Sequence, residues 1–478
     1  MYKNFLNFII PSIVGGLLTL ITLPIYTRYL SPIEYGTLAL AQIFGSFIFS
    51  LNTLGLSIGY ERDYFEAKRD GKSAELLYSV LTFISASFIL CSFIVWIFDD
   101  YFSFITNIDK KYSNLLFWSY ISIGFSGIKS FFLIYFKNTG DSTSFMKYSL
   151  DENILSIILS LLFITQFNLG VFGIVFGQLI STSFILILLV RKIIKLMPFK
   201  LSLTIFKKAI FIGLPLTPRI FTGLINKSFD KYIVANFVSI SGTGILSISY
   251  KVANMVFGFM TALENIFIPK VYDIMFKEDE KKGGVLIGNY LMPFIYVSYG
   301  FCLFIVLVIH EFFYFFTSPA FYDGANISIL LIMLYSTYFF GKTPQLIFKK
   351  KTHIISIISY FSIALIIVIN LILVRPYGIF GSAFATLISG LITTLITFFY
   401  SNKYYKIIWP TSKILIILTI MFFSSISVIV LSLLKFKYIY IIFFKFIFAG
   451  IYILLGFKIK ILSYSKCINF YQNFKNKL

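Results

Sequence analysis

The chain has few charges, few cysteines and no polar stretch long enough for a soluble domain. Only 13% of its 478 residues are charged while 58% are hydrophobic, and the mean hydropathy is +0.88, which excludes a soluble globular class. Cys91, Cys302 and Cys467 are scattered, each in or beside an apolar run, at no spacing suited to a metal site or a disulfide framework. No glycine-rich phosphate loop is present, which argues against ATP hydrolysis and against a nucleotide cofactor. The alternating segments of about ten residues that mark a membrane barrel are missing as well. What remains is a succession of apolar segments of helical length, so the fold class is an all-α polytopic membrane protein. Acidic residues are also scarce: 41 Lys and Arg against 20 Asp and Glu give a net charge of +21. In a soluble chain that excess would suggest nucleic acid, but here the cations fall between apolar segments and read as topology signals, with the lipid bilayer as partner.

Spans are expected near 6 to 28, 36 to 60, 76 to 98, 113 to 136, 147 to 167 and 171 to 190, then near 209 to 230, 243 to 267, 285 to 316, 326 to 348, 354 to 374 and 378 to 400, with two more near 412 to 434 and 438 to 457. That makes about 14 transmembrane helices: a first six-helix bundle over 1–200, a second over 201–402, and two additional helices with a tail over 403–478. The first apolar stretch follows Lys3 without a small-residue cleavage site and is expected to be retained as a span. Arg62, Lys68, Arg69 and Lys72, then Arg191 to Lys208, then Lys349, Lys350 and Lys351 all fall on one side, which places both termini in the cytoplasm. Lys445 falls close to the middle of the last span, where a cation is unexpected.

The two six-helix blocks read as copies. Gly170-Val-Phe172-Gly173-Ile-Val-Phe176-Gly-Gln-Leu179-Ile180-Ser181 recurs as Gly378-Ile-Phe380-Gly381-Ser-Ala-Phe384-Ala-Thr-Leu387-Ile388-Ser389, seven of twelve identical at an offset of 208. Pro11 precedes Arg28 by 17 residues and Pro215 precedes Lys231 by 16. Six spans separate the copies, so they share an orientation, an arrangement found in transporters with a central cavity between halves. Pro11 and Pro24, and Pro215 and Pro218, remove helix hydrogen bonds at corresponding ends of the blocks and are candidate hinges, although membrane helices also tolerate proline.

An unpaired Arg or Lys near the bilayer centre costs at least about 2.5 to 3.5 kcal/mol, so such residues face a cavity or a partner. In span seven, Arg219, Thr222 or Gly223, Asn226 and Asp230 recur at helical spacing, and in span eight Ser247, Lys251, Asn254, Gly258, Thr261 and Asn265 follow at 4, 3, 4, 3 and 4. A weaker stripe in span one runs Ser12, Gly15, Thr19, Thr22 and Tyr26. Arg219, Lys251, Lys129 in span four and Arg28 at the outer rim point to an anionic ligand. Each also has a plain structural reading: an Arg at a span end snorkels to the interface, and a buried Arg pairs with a carboxylate. Asp151, Glu152, Asp230 and Glu264 are the candidates for ion coupling, and Asp151 and Glu152 equally suit a solvated helix start.

The opening Pro24-Ile-Tyr-Thr-Arg28-Tyr-Leu-Ser-Pro32-Ile-Glu34-Tyr-Gly36, the later Gly213-Leu-Pro-Leu, Asp230-Lys-Tyr-Ile-Val and Tyr250-Lys-Val, and the repeated Gly-x-x-Gly segments resemble polysaccharide flippases of the Wzx type. These belong to the multidrug, oligosaccharidyl-lipid and polysaccharide exporter superfamily. The resemblance runs over the whole chain, and the first hairpin is its most specific motif. It implies a bacterial cytoplasmic (inner) membrane protein that moves an undecaprenyl-pyrophosphate-linked oligosaccharide to the outer leaflet for O-antigen or capsule synthesis. A polysaccharide polymerase and chain-length machinery would be its neighbours, and no cofactor is implied. On that reading Arg219 and Lys251 meet the pyrophosphate or acidic sugars, Arg28 and Lys129 assist, and Asn226, Asn254 and Asn265 bond sugar hydroxyls. Two alternatives stay open. A drug or cation exporter of the superfamily would present carboxylates rather than cations. A membrane glycosyltransferase or polymerase could use Asp99 and Asp100 as a metal or base pair, though His310 with Glu311 is too sparse a catalytic group and the outer loops are short.

Overall fold

The computed structural model describes residues 2–458 apart from 435 and 437; Cys467 and the tail beyond Lys458 lie outside the described residues. Seventeen α-helices follow one another: α1 Tyr2–Tyr29, α2 Pro32–Thr53, α3 Leu56–Arg69, α4 Ser73–Ile97, α5 Asp99–Ile105, α6 Ser113–Thr139, α7 Ser142–Thr165, α8 Val171–Leu196, α9 Leu203–Gly213, α10 Thr217–Phe237, α11 Ile240–Lys277, α12 Glu280–Phe316, α13 Gly324–Ser336, α14 Pro344–Phe348, α15 Thr352–Tyr404, α16 Thr411–Leu433 and α17 Tyr438–Lys458. Among the described residues, eleven helices are long and apolar enough to cross a membrane, or twelve with the pair Gly324–Ser336 and Tyr338–Phe348, which is bent by 53°. The chain is a multi-pass, all-helical membrane protein.

The difference from the expected fourteen has local causes. Span seven is interrupted by a 3-10 turn at Leu214–Leu216 around Pro215, and α10 carries Lys227, Asp230 and Lys231 and is not among the eleven. The expected spans eleven and twelve form one helical run that changes direction at Gly378. Span two ends early: Leu54 and Gly55 both take positive φ, so α3 leaves in a new direction. Pro11 and Pro24 are accommodated within α1.

Residue contacts divide the chain into two compact units, 1–247 with 316–320, and 248–315 with 321–478. In the first, a capping box explains the signature of the opening hairpin. The Ser31 hydroxyl accepts from Glu34 N–H, Glu34 Oε2 accepts from Ser31 N–H at 2.9 Å, and Pro32 occupies the first turn. Glycines then bring α2 and α3 against the later helices with backbone touching backbone. A Cβ on Gly36 would lie 1.9 Å from the Ile240 carbonyl oxygen and one on Gly244 1.9 Å from that of Pro32, while Gly55 and Gly59 meet Gly213 and Ala209 of α9. The start of α2 is thus pinned to the start of α11, and the junction of α2 and α3 to α9.

In the second unit the last helix is held by polar contacts. Lys445 Nζ binds both oxygens of Glu311 at 2.6 and 2.7 Å, Tyr438 Oη donates to the same carboxylate at 2.5 Å, and Tyr296 and Tyr452 each donate to the other's carbonyl oxygen. Lys445 is 9% exposed, so the cation in mid-span is a paired one.

The repeated segment behaves alike in its two places. Gly170 has φ 53, ψ −133 and Gly378 has φ 57, ψ −134, a conformation open to glycine and strained for any other residue. Three residues on, a Cβ at Gly173 would lie 2.9 Å from Ile164 and one at Gly381 2.0 Å from the Leu373 carbonyl oxygen. Gly170→Ala and Gly378→Ala should each destabilise the protein by about 1–3 kcal/mol, seen as a lowered thermal midpoint of the purified protein in detergent. Midpoints equal to wild type would refute this.

Candidate functional site

In the first unit three helices meet at a buried polar group. Lys129 of α6 and Glu152 of α7 form an ion pair with side chains only 10% and 12% exposed, and Thr182 of α8 donates to Glu152 Oε1 at 2.7 Å. The sequence separation of 23 residues hid this pair. It means that Lys129, read as an anion binder, and Glu152, read as a coupling carboxylate, are one neutral unit. Asp151 is exposed and takes no part, as expected for the next position round a helix. Asn153 instead donates to the Pro11 carbonyl at 3.3 Å, tying α7 to α1.

The other cations and amides divide by exposure. Arg28 is exposed at the end of α1. On α10, Asn226 is exposed, Asp230 is buried and accepts from Lys231 N–H at 2.8 Å, and the Arg219 side chain lies outside the described residues. On α11 four of the six stripe residues, Lys251, Asn254, Gly258 and Asn265, are exposed, Thr261 is half-buried and Ser247 is buried, while Val252, Ala253, Val256 and Met260 between them are buried. An apolar helix that keeps a Lys and two Asn accessible does so at positions where the bare hydrocarbon of a bilayer would penalise them.

Sequence reasoning missed what lies beside that face. Tyr335 Oη donates to Asn254 Oδ1 at 3.2 Å, and the Phe257 ring sits 5.4 Å from both Tyr335 and Tyr338. Glu264 is held by the Tyr338 hydroxyl and by Lys342 Nζ at 2.7 Å, and the Lys342 ammonium lies 4.1 Å from the centre of the Tyr338 ring. The structure therefore brings Asn254 and Glu264 into one strip with Phe257, Tyr335, Tyr338 and Lys342, and spends Glu264 on a cation. Aromatic rings beside amides suit the flat apolar faces and hydroxyl edges of sugars. Lys342 was screened from view by the bend between Ser336 and Tyr338, which no periodicity announces.

The groups considered for catalysis have ordinary duties. Asp99 and Asp100 form the first turn of α5, where carboxylates complement the helix dipole. His310 Nε2 pairs with Asn326 Oδ1 at 3.0 Å and Glu311 with Lys445, so the two neighbours serve different partners. At the start of α7, burial works against the Asp141 carboxylate, but the Ser144 hydroxyl and N–H and then Lys192 outweigh it and hold its pKa below the ordinary value.

The fold has known counterparts. It superposes on lipid II flippase MurJ in an inward closed conformation with a TM-score of 0.70 at 18% identity, covering 95% of this chain and 99% of that one. An inward-facing multidrug resistance transporter of the MATE family, in the MOP superfamily, gives 0.63 at 14% identity over 81% and 94%. A MOP superfamily transporter from Pyrococcus furiosus Vc1, described by the reversed polarity of its binding pocket, gives 0.52 at 15% identity over 84% and 95%. No curated protein sequence matches the chain. The fold is thus that of MOP superfamily transporters. The family model for polysaccharide biosynthesis proteins matches residues 1–269, more than half of the chain, and the chain belongs to that family.

Proposed function

We propose that the protein is a flippase that carries an undecaprenyl-pyrophosphate-linked oligosaccharide from the cytoplasmic to the outer leaflet by alternating access, for O-antigen or capsule synthesis. The observation that carries this reading is the accessible face of α11, where Lys251 offers a charge to an anionic headgroup and Asn254, with the neighbouring rings of Tyr335 and Phe257, offers bonds and surface to sugars. Arg219 and Lys251 receive the pyrophosphate or acidic sugars, Arg28 lies at the outer rim, and Asn226 and Asn265 extend the sugar contacts. Lys129 and Glu152, bound to each other, enter as one unit, and Asp230 and Glu264 are further coupling candidates beside the exposed Asp151. The fourteen spans are counted with span seven broken at Pro215 and with the helical run at Gly378 taken as two. The blocks 1–200, 201–402 and 403–478 are read as two six-helix copies plus two helices, a reading supported by the matching backbone of Gly170 and Gly378. Both termini are cytoplasmic, and a polymerase with its chain-length machinery takes the product.

The test follows the leaflet on which the glycan is exposed. Deleting the gene should leave complete single repeat units on the cytoplasmic leaflet, and Arg219→Ala or Lys251→Ala at normal protein level should reproduce that trapping with at least a tenfold drop in surface polymer, the loss of about one charge-assisted contact. Units lacking a sugar would instead indicate a transferase, and complete units exposed outside but unpolymerised a polymerase. Transport left intact in both variants would overturn the site assignment.

A further inference from the structure

A cavity of about 590 Å³ opens between α3, the start of α4 and α9, at the end of the first unit that the Lys and Arg distribution assigns to the cytoplasm. Its charged lining is balanced: Arg62, Lys72 and Lys208 against Asp63, Glu66 and Asp70. Asp63, Glu66 and Asp70 follow at spacings of 3 and 4 along α3 and its C-cap, and Arg62 stands four positions before Glu66, so they line one side of the helix. Arg62 is engaged with Asp63 at 2.8 Å and Asp70 with the exposed Arg69 at 3.4 Å, but Glu66, Lys72 and Lys208 hold no salt bridge among the described residues. The walls are fixed. Ser202 caps α9 and donates its N–H to Ser79 Oγ at 2.8 Å, and Tyr78 Oη binds the Met197 carbonyl at 3.1 Å.

The rim is apolar. Phe211, which lines the cavity, is 81% exposed, and Leu203 on the same helix and Phe65 on α3 are exposed as well. Leu76, also in the lining, is fully buried at the first turn of the α4 span. The cavity therefore lies where hydrocarbon gives way to headgroups. An occupant that fits must carry both charges in its polar part and an apolar part beside it. A lipid with only a negative headgroup meets three carboxylates. A quaternary ammonium cannot donate hydrogen bonds to Glu66 and Asp70, and Phe211 alone makes no aromatic cage.

We propose that this cavity binds a bilayer phospholipid with a zwitterionic headgroup bearing a primary ammonium. Lys72 and Lys208 take the phosphate, Glu66 and Asp70 take the ammonium, and the acyl chains run over Phe211.

Native mass spectrometry of the full chain with dioleoyl phosphatidylethanolamine, phosphatidylglycerol or phosphatidylcholine tests this. The ethanolamine lipid should be retained about tenfold better than the other two, the worth of one or two solvent-screened charge contacts. The double variant Glu66→Gln/Asp70→Asn should reduce that advantage to about twofold or less, and Lys208→Gln should lower retention of all three lipids. These side chains are exposed, so the variants keep the wild-type thermal midpoint. Equal retention of the three lipids, preference for phosphatidylglycerol, or an advantage that persists in Glu66→Gln/Asp70→Asn would overturn the proposal. Displacement of the lipid by millimolar phosphoethanolamine alone would overturn the role given to the apolar rim.

Discussion

Gly244→Val should yield almost no folded protein, and Gly36→Val should do the same. At both positions the added Cβ would stand 1.9 Å from a backbone carbonyl oxygen, that of Pro32 for Gly244 and that of Ile240 for Gly36. No side-chain rotation relieves a clash with backbone, so the start of α11 would have to move away from α2 by more than an ångström. That separation opens a packed interface, and the combined strain and lost packing belong with the rare substitutions that cost upward of about 4–5 kcal/mol. Native stabilities are only about 5–15 kcal/mol, so expression and monodispersity should collapse together. Gly258→Ala, with nothing within 4 Å of its new Cβ, is the matched control and should purify normally. A Gly244→Val protein that elutes as a single peak with the wild-type melting curve would show that the contact between α2 and α11 is not a fixed part of the fold.

The second large effect is expected at Lys129 and Glu152. Removing one charge strands the other in a site where both are about nine-tenths covered; Lys129→Met and Glu152→Met should each cost about 3–5 kcal/mol. Removing both should return stability to within roughly 1–2 kcal/mol of wild type, because buried pairs contribute little beyond mutual neutralisation. The double variant then asks a functional question that the single ones cannot. Folded and transporting, it would confine the pair to architecture. Folded and silent, it would make the pair part of the transport cycle. Single variants as stable as wild type would contradict the burial itself.

Sequence alone carried the class of fold, because apolar runs of membrane length need no tertiary information. It also carried the α11 stripe, since spacing of 4 and 3 around one helix is a local property. It did not carry the company those residues keep. Lys129 looked like a free cation because its carboxylate lies on another helix. Glu264 looked like a coupling site because Tyr338 and Lys342 lie beyond a 53° bend. The Ser31 to Glu34 motif was legible as a turn, yet its capping box and the close approach at Gly36 show that the most specific signature of the chain maintains backbone geometry. Lys445 stands as an unexpected cation in mid-span until Glu311, 134 residues earlier, is brought to it.

That last pair bears on how the protein is made. When α12 is inserted, Glu311 enters the bilayer with its cation still unsynthesised; when α17 arrives, Lys445 must cross a medium that charges it about 2.5–3.5 kcal/mol for entering alone. Each residue is a poor membrane passenger by itself and an acceptable one beside the other, with Tyr438 completing the carboxylate's bonds. The final helix is thus the delayed half of a contract opened by α12, and a ribosome that stops short of residue 445 leaves behind an earlier span holding an uncompensated charge. α17 supplies, late in the chain, the partner of a charge already set in α12.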